Sequence, residues 1–255
     1  MKRNLFTIKF VLCIFAILVL CSLFSWQNFH VNGRKLDYPA LYVYGCCIFA
    51  SAYIFPVIAC LSSFTGVSSF CKDYVNGYIK YVIIRGNADD YAWAKIYANS
   101  ISAFITAFLG LTFFCIYLEV ILENKDLGNA TVSGILFNWS SYGNRAWLYY
   151  LVHNLLISTA TALWATVALT ISSFIPDFLV TLSIPIVANY ILERMSLLYL
   201  PDFLNLFVMV NGVEMENVRF PFNILYSIGI FMTLTFSCGF VFRYCIERRK
   251  LRGTI

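Results

Sequence analysis

The sequence predicts an all-α, polytopic membrane protein: six transmembrane helices, with one short cytosolic helix between the second and third. Three observations carry that reading. Of 255 residues, 60% are hydrophobic and only 12% are charged, about half the charge of an ordinary soluble domain. Six apolar runs, each about as long as a hydrocarbon core requires, are separated by short charged segments. One of those segments, 71–95 (CKDYVNGYIKYVIIRGNADDYAWAK), combines seven charges with a helical period.

The elements follow in order. A short basic start (Lys2, Arg3, Lys9) leads into an uncharged run at 10–29. The run is long, and Leu23-Phe24-Ser25-Trp26 is a poor small-residue cleavage site, so it reads as a retained first span rather than a signal peptide. The second span is placed at 41–63 and the third at 96–118. A polar loop over 119–145 holds two Asn-x-Ser/Thr tripeptides, at Asn129 and Asn138. The fourth span, 148–173, stops before Pro176. The fifth, 178–200, is closed by Pro201, and a half-polar loop leads to the sixth at 223–242 and a basic tail. No internal repeat or linker divides the chain, which reads as a single transmembrane domain over 1–255.

With the amino terminus inside, the inner segments hold Lys2, Arg3, Lys9, Lys72, Lys80, Arg85, Lys95, Arg243, Arg248, Arg249, Lys250 and Arg252. The outer loops hold only Arg34, Lys35, Lys125, Arg145 and Arg219. That asymmetry puts both termini and segment 71–95 in the cytosol. It also accounts for the net charge of +5 without nucleic acid as a partner. In segment 71–95, Val75, Ile79 and Val82 share one helical face, and Tyr74, Tyr78 and Tyr81 a neighbouring one. We expect one helix over 74–84, stopped at Arg85-Gly86, and a new one capped by Asn87 or Asp89 that runs through Tyr91 and Lys95 into the third span. Gly77 is expected to permit close approach of a partner. Tyrosines and an arginine are residue types that anchor interfaces; tyrosine is equally at home among lipid headgroups.

Small residues repeat every fourth position in the third span (Ala98, Ser102, Thr106, Gly110) and the fourth (Ser158, Ala162, Thr166, Thr170), which predicts close helix packing. The fifth span carries a polar stripe instead: Thr181, Pro185, Asn189 and Glu193. Pro185 should loosen or kink the helix. Glu193 reads either as a costly, functional intramembrane carboxylate or as an interfacial group beside a snorkelling Arg194. His153 lies at a similar depth and can pair with it. These five residues are the candidate pathway.

Seven of nine cysteines lie inside apolar runs and the other two at inner span ends, which predicts packing residues or free thiols rather than disulfides. No zinc-type Cys/His spacing, HExxH, nucleophile elbow or GxxxxGK[ST] is present. We therefore expect no catalytic or metal site, and no ATP bound through a P-loop in this chain.

The span plan and segment 71–95 together resemble the ABC-2 type permease, the membrane subunit of a class of ATP-binding-cassette exporters. That family has an acidic residue before an Asn/Ser-Gly step, then a basic amphipathic stretch, a Gly, an aromatic and a Lys entering the third span. Here these are Asp73, Asn76-Gly77, Ile79-Lys80, Arg85-Gly86, Tyr91 and Lys95. Asp replaces the commoner Glu, and Ala88-Asp89-Asp90 stands where a small-basic pair is frequent. The resemblance implies that Asp73, Tyr74, Gly77, Tyr78, Lys80, Tyr81, Arg85, Gly86, Tyr91 and Lys95 couple the chain to a separate ATPase subunit, with ATP and Mg bound there. Asp73 and Arg85 would fix the register of docking by charge pairing. A second permease chain, identical or a sister, would complete the pathway. The 172–177 turn would be a minor contact, and 201–222 would hold short helices at the outer mouth. It further implies export of an amphiphilic substrate (peptide, antibiotic or lipid-like) across a bacterial cell membrane. The alternatives are an autonomous ion-coupled carrier or channel, or a non-transporting sensor or assembly partner.

Overall fold

The computed structural model describes residues 8–31, 34–35, 40–48, 54–85, 87–122, 145–201, 204–211 and 221–251. Its architecture is all-α. The helices are α1 (Ile8–Phe29), α2 (Ala40–Ile48), α3 (Ile54–Val75), α4 (Tyr78–Arg85), α5 (Ala88–Ile121), α6 (Ala146–Ser172), α7 (Phe178–Tyr199), α8 (Leu206–Asn211) and α9 (Phe222–Leu251). A two-residue antiparallel ladder, β1 (His30–Val31) on β2 (Arg34–Lys35), follows α1. Among the described residues, α1, α5, α6, α7 and α9 are long and apolar enough to cross a membrane. Helix α3 adds a sixth span if its segments Ile54–Val67 and Ser69–Val75, bent by 42°, count as one. These are the helices of an integral membrane protein.

Of the second span expected at 41–63, the described residues lie in α2 and α3, residues 49–53 lie outside the described residues, and α3 continues to Val75, well past the point where hydropathy falls. Polar residues do not end the helix there because they bond within it. The Ser63 hydroxyl donates to the Ala59 carbonyl at 2.6 Å, and that of Thr65 to Ser62 at 2.9 Å. Helices α5 and α9 also outrun their apolar cores. At 1.5 Å per residue, the 34 residues of α5 span about 51 Å, against a hydrocarbon core of about 30 Å. The turns around Asp89, Asp90 and Lys95 therefore project beyond the apolar layer, as does the basic end of α9.

Helix α6 is the axis of the bundle, in contact with α3, α5, α7 and α9. Its small residues explain why. Ser158, Ala160, Thr161, Ala165, Thr166 and Ala168 are all buried, so neighbouring backbones come close. Their hydroxyls are satisfied inside the helix, Ser158 to Asn154 at 2.6 Å and Thr166 to Ala162 at 2.8 Å. Thr170 reaches across to the Cys238 carbonyl of α9 at 3.0 Å. Gly110 of α5 plays the same part against α1, since a Cβ there would stand 2.9 Å from the Ile17 side chain.

Two apolar clusters mark the ends of the bundle. One gathers Phe70, Cys71, Ile79, Tyr91, Ala92, Phe242 and Ile246 where α3, α4, α5 and α9 meet. The other gathers Ile17, Tyr44, Leu111, Leu118, Tyr149 and Ile157 towards the opposite end. Trp93, stacked on Tyr97 at 5.6 Å, and the exposed Trp26 and Trp147 sit near helix ends, where amphipathic rings favour a membrane–water boundary.

Candidate functional site

The site lies at the first of these ends, where the chain turns from α3 into α4 and then α5. Helix α3 closes as Asn76 N–H bonds the Lys72 carbonyl at 3.0 Å and Gly77 N–H bonds that of Tyr74 at 3.1 Å. Gly77 then takes φ of 66°, the left-handed conformation that glycine adopts without a Cβ penalty. Helix α4 opens at Tyr78 and packs one face inward. Ile79 is fully buried and Val82 packs on the same cluster. The other face is bare: Tyr78 is 55% and Tyr81 64% exposed, with Lys80 exposed beside them. Asn87 accepts from Asp89 N–H at 3.3 Å and starts α5. Gly86 and the side chain of Arg85 lie outside the described residues.

The single helix expected over 74–84 is thus corrected. The left-handed turn at Gly77 redirects the chain, so the periodicity on either side belongs to two helices. Tyr74 does not join Tyr78 and Tyr81; it lies on α3 under the Arg249 guanidinium, 5.1 Å from the ring centre. The left-handed conformation by itself calls for glycine at position 77, and its Cβ position is open, with nothing within 4 Å among the described residues.

Asp73, Tyr91 and Lys95 come together as a brace. Lys95 Nζ is 2.6 Å from Asp73 Oδ2, and the Tyr91 hydroxyl donates to the same oxygen at 3.1 Å. Lys95 also donates to Ser69 Oγ and lies 5.7 Å from the centre of the Tyr91 ring. The two charges retain only 17% and 22% side-chain exposure. Asp73 therefore pairs within the chain, fastening the end of α3 to the start of α5, with α4 strapped between them.

A second set of ties, not anticipated from the sequence, comes from α9. Arg243 makes a bidentate pair with Asp89 through Nε and Nη2, both at 2.7 Å. Arg249 donates to the Phe174 carbonyl in the turn between α6 and α7 at 3.1 Å. Between them, Phe242 and Ile246 are fully buried, with Phe242 edge-on to Phe70 at 5.2 Å. The signal was present as an acidic pair, Asp89-Asp90, and a basic tail, but only folding shows that they meet.

The candidate pathway residues lie elsewhere. On α7, Thr181 and Asn189 are buried, Pro185 is buried between them and Glu193 is half-buried. The stripe thus lies on the inward face, while Val187, Tyr190 and Ile191 face out. The helix is continuous through Pro185, with no break there. Asn189 Nδ2 is 3.5 Å from Glu193 Oε2, and the stripe continues in the buried Ser196, 3.3 Å from Asn205 Oδ1. His153 is fully buried on α6, its ring 4.2 Å from that of Tyr149. Glu193 and His153 have different neighbours. Sequence reasoning also passed over Asn99, whose Nδ2 donates to the Ala165 carbonyl at 2.7 Å and locks α5 to α6.

Compared with protein-family models, with characterised proteins and with solved structures, the chain has no match.

Proposed function

We propose that this chain is the membrane subunit of an ATP-binding-cassette exporter of the ABC-2 permease kind, and that α4 is the helix gripped by a separate ATPase. One observation carries the reading. A short helix set off by a left-handed glycine presents Tyr78, Lys80 and Tyr81 outward while its inner face is anchored by Ile79. The adjoining brace of Asp73, Tyr91 and Lys95 joins α3 to α5. A push on α4 is thereby delivered to two long helices as a rigid-body shift rather than lost in a soft loop. Exposed tyrosines on a rigid support are the residue type that anchors an interface.

In this reading ATP and Mg act on the partner, a second permease chain completes the pathway, and the substrate is amphiphilic. Lys72, Lys80, Lys95, Arg243, Arg248, Arg249 and Lys250 gather at the α4 end, which supports a cytosolic location for that end in a bacterial cell membrane. The inward stripe of Thr181, Pro185, Asn189 and Glu193 is the part of the chain best suited to face a polar route.

The test is co-purification of an ATPase and transport by Tyr78→Ala, Tyr81→Ala and Lys80→Glu variants. Loss of ATPase capture with an intact bundle is expected. Wild-type capture and transport in all three would remove α4 from the coupling role. A single cysteine at position 80 should be labelled by a membrane-impermeant reagent only after cells are opened.

A further inference from the structure

The last turns of α9 carry more than the positive charge that marks an inner span end. Arg248 and Lys250 are exposed, but Arg249 is half-buried, turned towards the side that buries Phe242 and Ile246. It holds two segments at once. Its guanidinium donates to the Phe174 carbonyl at 3.1 Å and lies over the Tyr74 ring, 5.1 Å from the ring centre. Arg243, further back along α9, makes the bidentate pair with Asp89 at 2.7 Å that fixes α9 to the start of α5.

Both contacts of Arg249 are of kinds that favour a cation. Phe174 follows the end of α6, where the helix dipole and the terminal carbonyls attract positive charge. The face of Tyr74 attracts it through the ring quadrupole. The turn that holds Phe174 is stiff on its far side. Asp177 caps α7 by accepting from Leu179 and Val180 N–H at 2.8 and 3.1 Å, and the Thr181 hydroxyl donates to the Asp177 carbonyl at 2.6 Å. The turn and the head of α7 therefore move together.

Tyr74 lies beyond a bend. The segments of α3 at Ile54–Val67 and Ser69–Val75 differ in direction by 42°. Helix α7 packs on the first, with Phe178 edge-on to Phe64 at 5.7 Å and the Cys60 thiol donating to the Leu182 carbonyl at 3.3 Å. The second carries Asp73 and Tyr74 into Gly77 and α4. Near the bend Phe70, Cys71 and Phe178 share one apolar cluster. Apolar packing is non-directional, so it lets the second segment turn. A guanidinium held on Tyr74 and Phe174 together does not. We propose that the basic end of α9 is a clasp, with Arg249 its working residue, that fixes the bend of α3 and joins α4 to the head of α7. Closed, it makes the two one body. Opened, it lets the second segment of α3 turn about the bend and carry α4 with it. This goes beyond the exporter reading and needs no ATPase, so either can fail without the other.

The experiment is amide hydrogen exchange of the purified full chain in nanodiscs, read by mass spectrometry at the two segments the clasp joins. In one, Phe174 and Ile175 N–H bond the Ile171 carbonyl at 2.9 and 3.1 Å; in the other, Asn76 and Gly77 N–H bond the carbonyls of Lys72 and Tyr74 at 3.0 and 3.1 Å. Arg249→Gln should speed exchange about tenfold in both, because local opening sets the rate. Arg249→Lys, which keeps the charge but not the planar fork, should fall between Gln and wild type. Tyr74→Leu removes the aromatic face and should speed exchange at 173–175, although Tyr74 lies on another helix, whereas Tyr74→Phe should match wild type. Tyr244→Leu, a change at an exposed ring of α9, should alter neither segment. Acceleration by Arg249→Gln in one segment alone, or in neither, overturns the clasp. So does an effect of Tyr74→Leu confined to α3, or an equal effect of Tyr244→Leu. The Arg249 variants decide the matter even if Tyr74→Leu does not fold.

Discussion

Asp73→Asn, Lys95→Met and the double variant test whether the ends of α3 and α5 are held as one unit. The charges are 2.6 Å apart with 17% and 22% side-chain exposure, so the pair is neither a solvated surface contact nor fully sealed. Exposed pairs contribute about 0.2–1 kcal/mol, whereas removing one member of a buried pair costs about 3–5 kcal/mol. The Tyr91 hydroxyl on the same carboxylate at 3.1 Å adds a charge-assisted bond of about 1.5–3 kcal/mol that Asp73→Asn weakens as well. We expect each single variant to destabilise the chain by about 2 kcal/mol. The double variant should cost less than the sum, with a coupling energy of about 1–2 kcal/mol, because the second change removes a charge that already lacks its partner. Tyr91→Phe, which deletes that bond, should cost about 1.5–3 kcal/mol. The assay is reversible unfolding of the detergent-solubilised chain by sodium dodecyl sulfate, followed by helical circular dichroism. Additivity of the two single changes to within about 0.3 kcal/mol would show that the brace transmits nothing between the helices.

Gly77→Ala should cost about 1–2 kcal/mol, the penalty of a left-handed backbone for an ordinary residue, and Gly77→Asn clearly less, because Asn tolerates that region; equal losses in the same unfolding assay would mean that φ of 66° is not what selects glycine. Gly66→Ala places a Cβ 1.9 Å from Asn99 Oδ1 and 2.9 Å from the Asn99 Cα, so α3 and α5 must separate. A loss of about 3 kcal/mol is expected, and a stability within about 0.5 kcal/mol of wild type would contradict the packing of these helices. Tyr78→Ala and Tyr81→Ala should leave stability within about 0.5 kcal/mol, since both rings are exposed; a larger loss would mean that they serve the fold rather than a partner.

Hydropathy and charge, read along the chain, sufficed for the class of this protein, an all-α chain with at least five helices long and apolar enough to cross a membrane among its described residues. Those features are local. A run of apolar residues dictates burial, and Gly77 or Asn87 dictates where a helix stops or starts, whatever else the chain does. The bent course of α3 and the length of α5 and α9 depend instead on which polar residues bond within a helix and which charges find partners. Asp73 is acidic in the sequence whether it meets an external cation or Lys95; only the return of α5 beside α3 brings the ammonium to 2.6 Å. Arg243 and Asp89, 154 positions apart, could not be matched from spacing at all. Their pairing follows from α9 packing against α5 through Phe242 and Ile246. Glu193 shows the same limit in reverse. Its stripe was legible at intervals of four, yet which side of α7 turns inward was decided by the helices that cover Asn189 and Ser196 and leave Val187 and Ile191 outside.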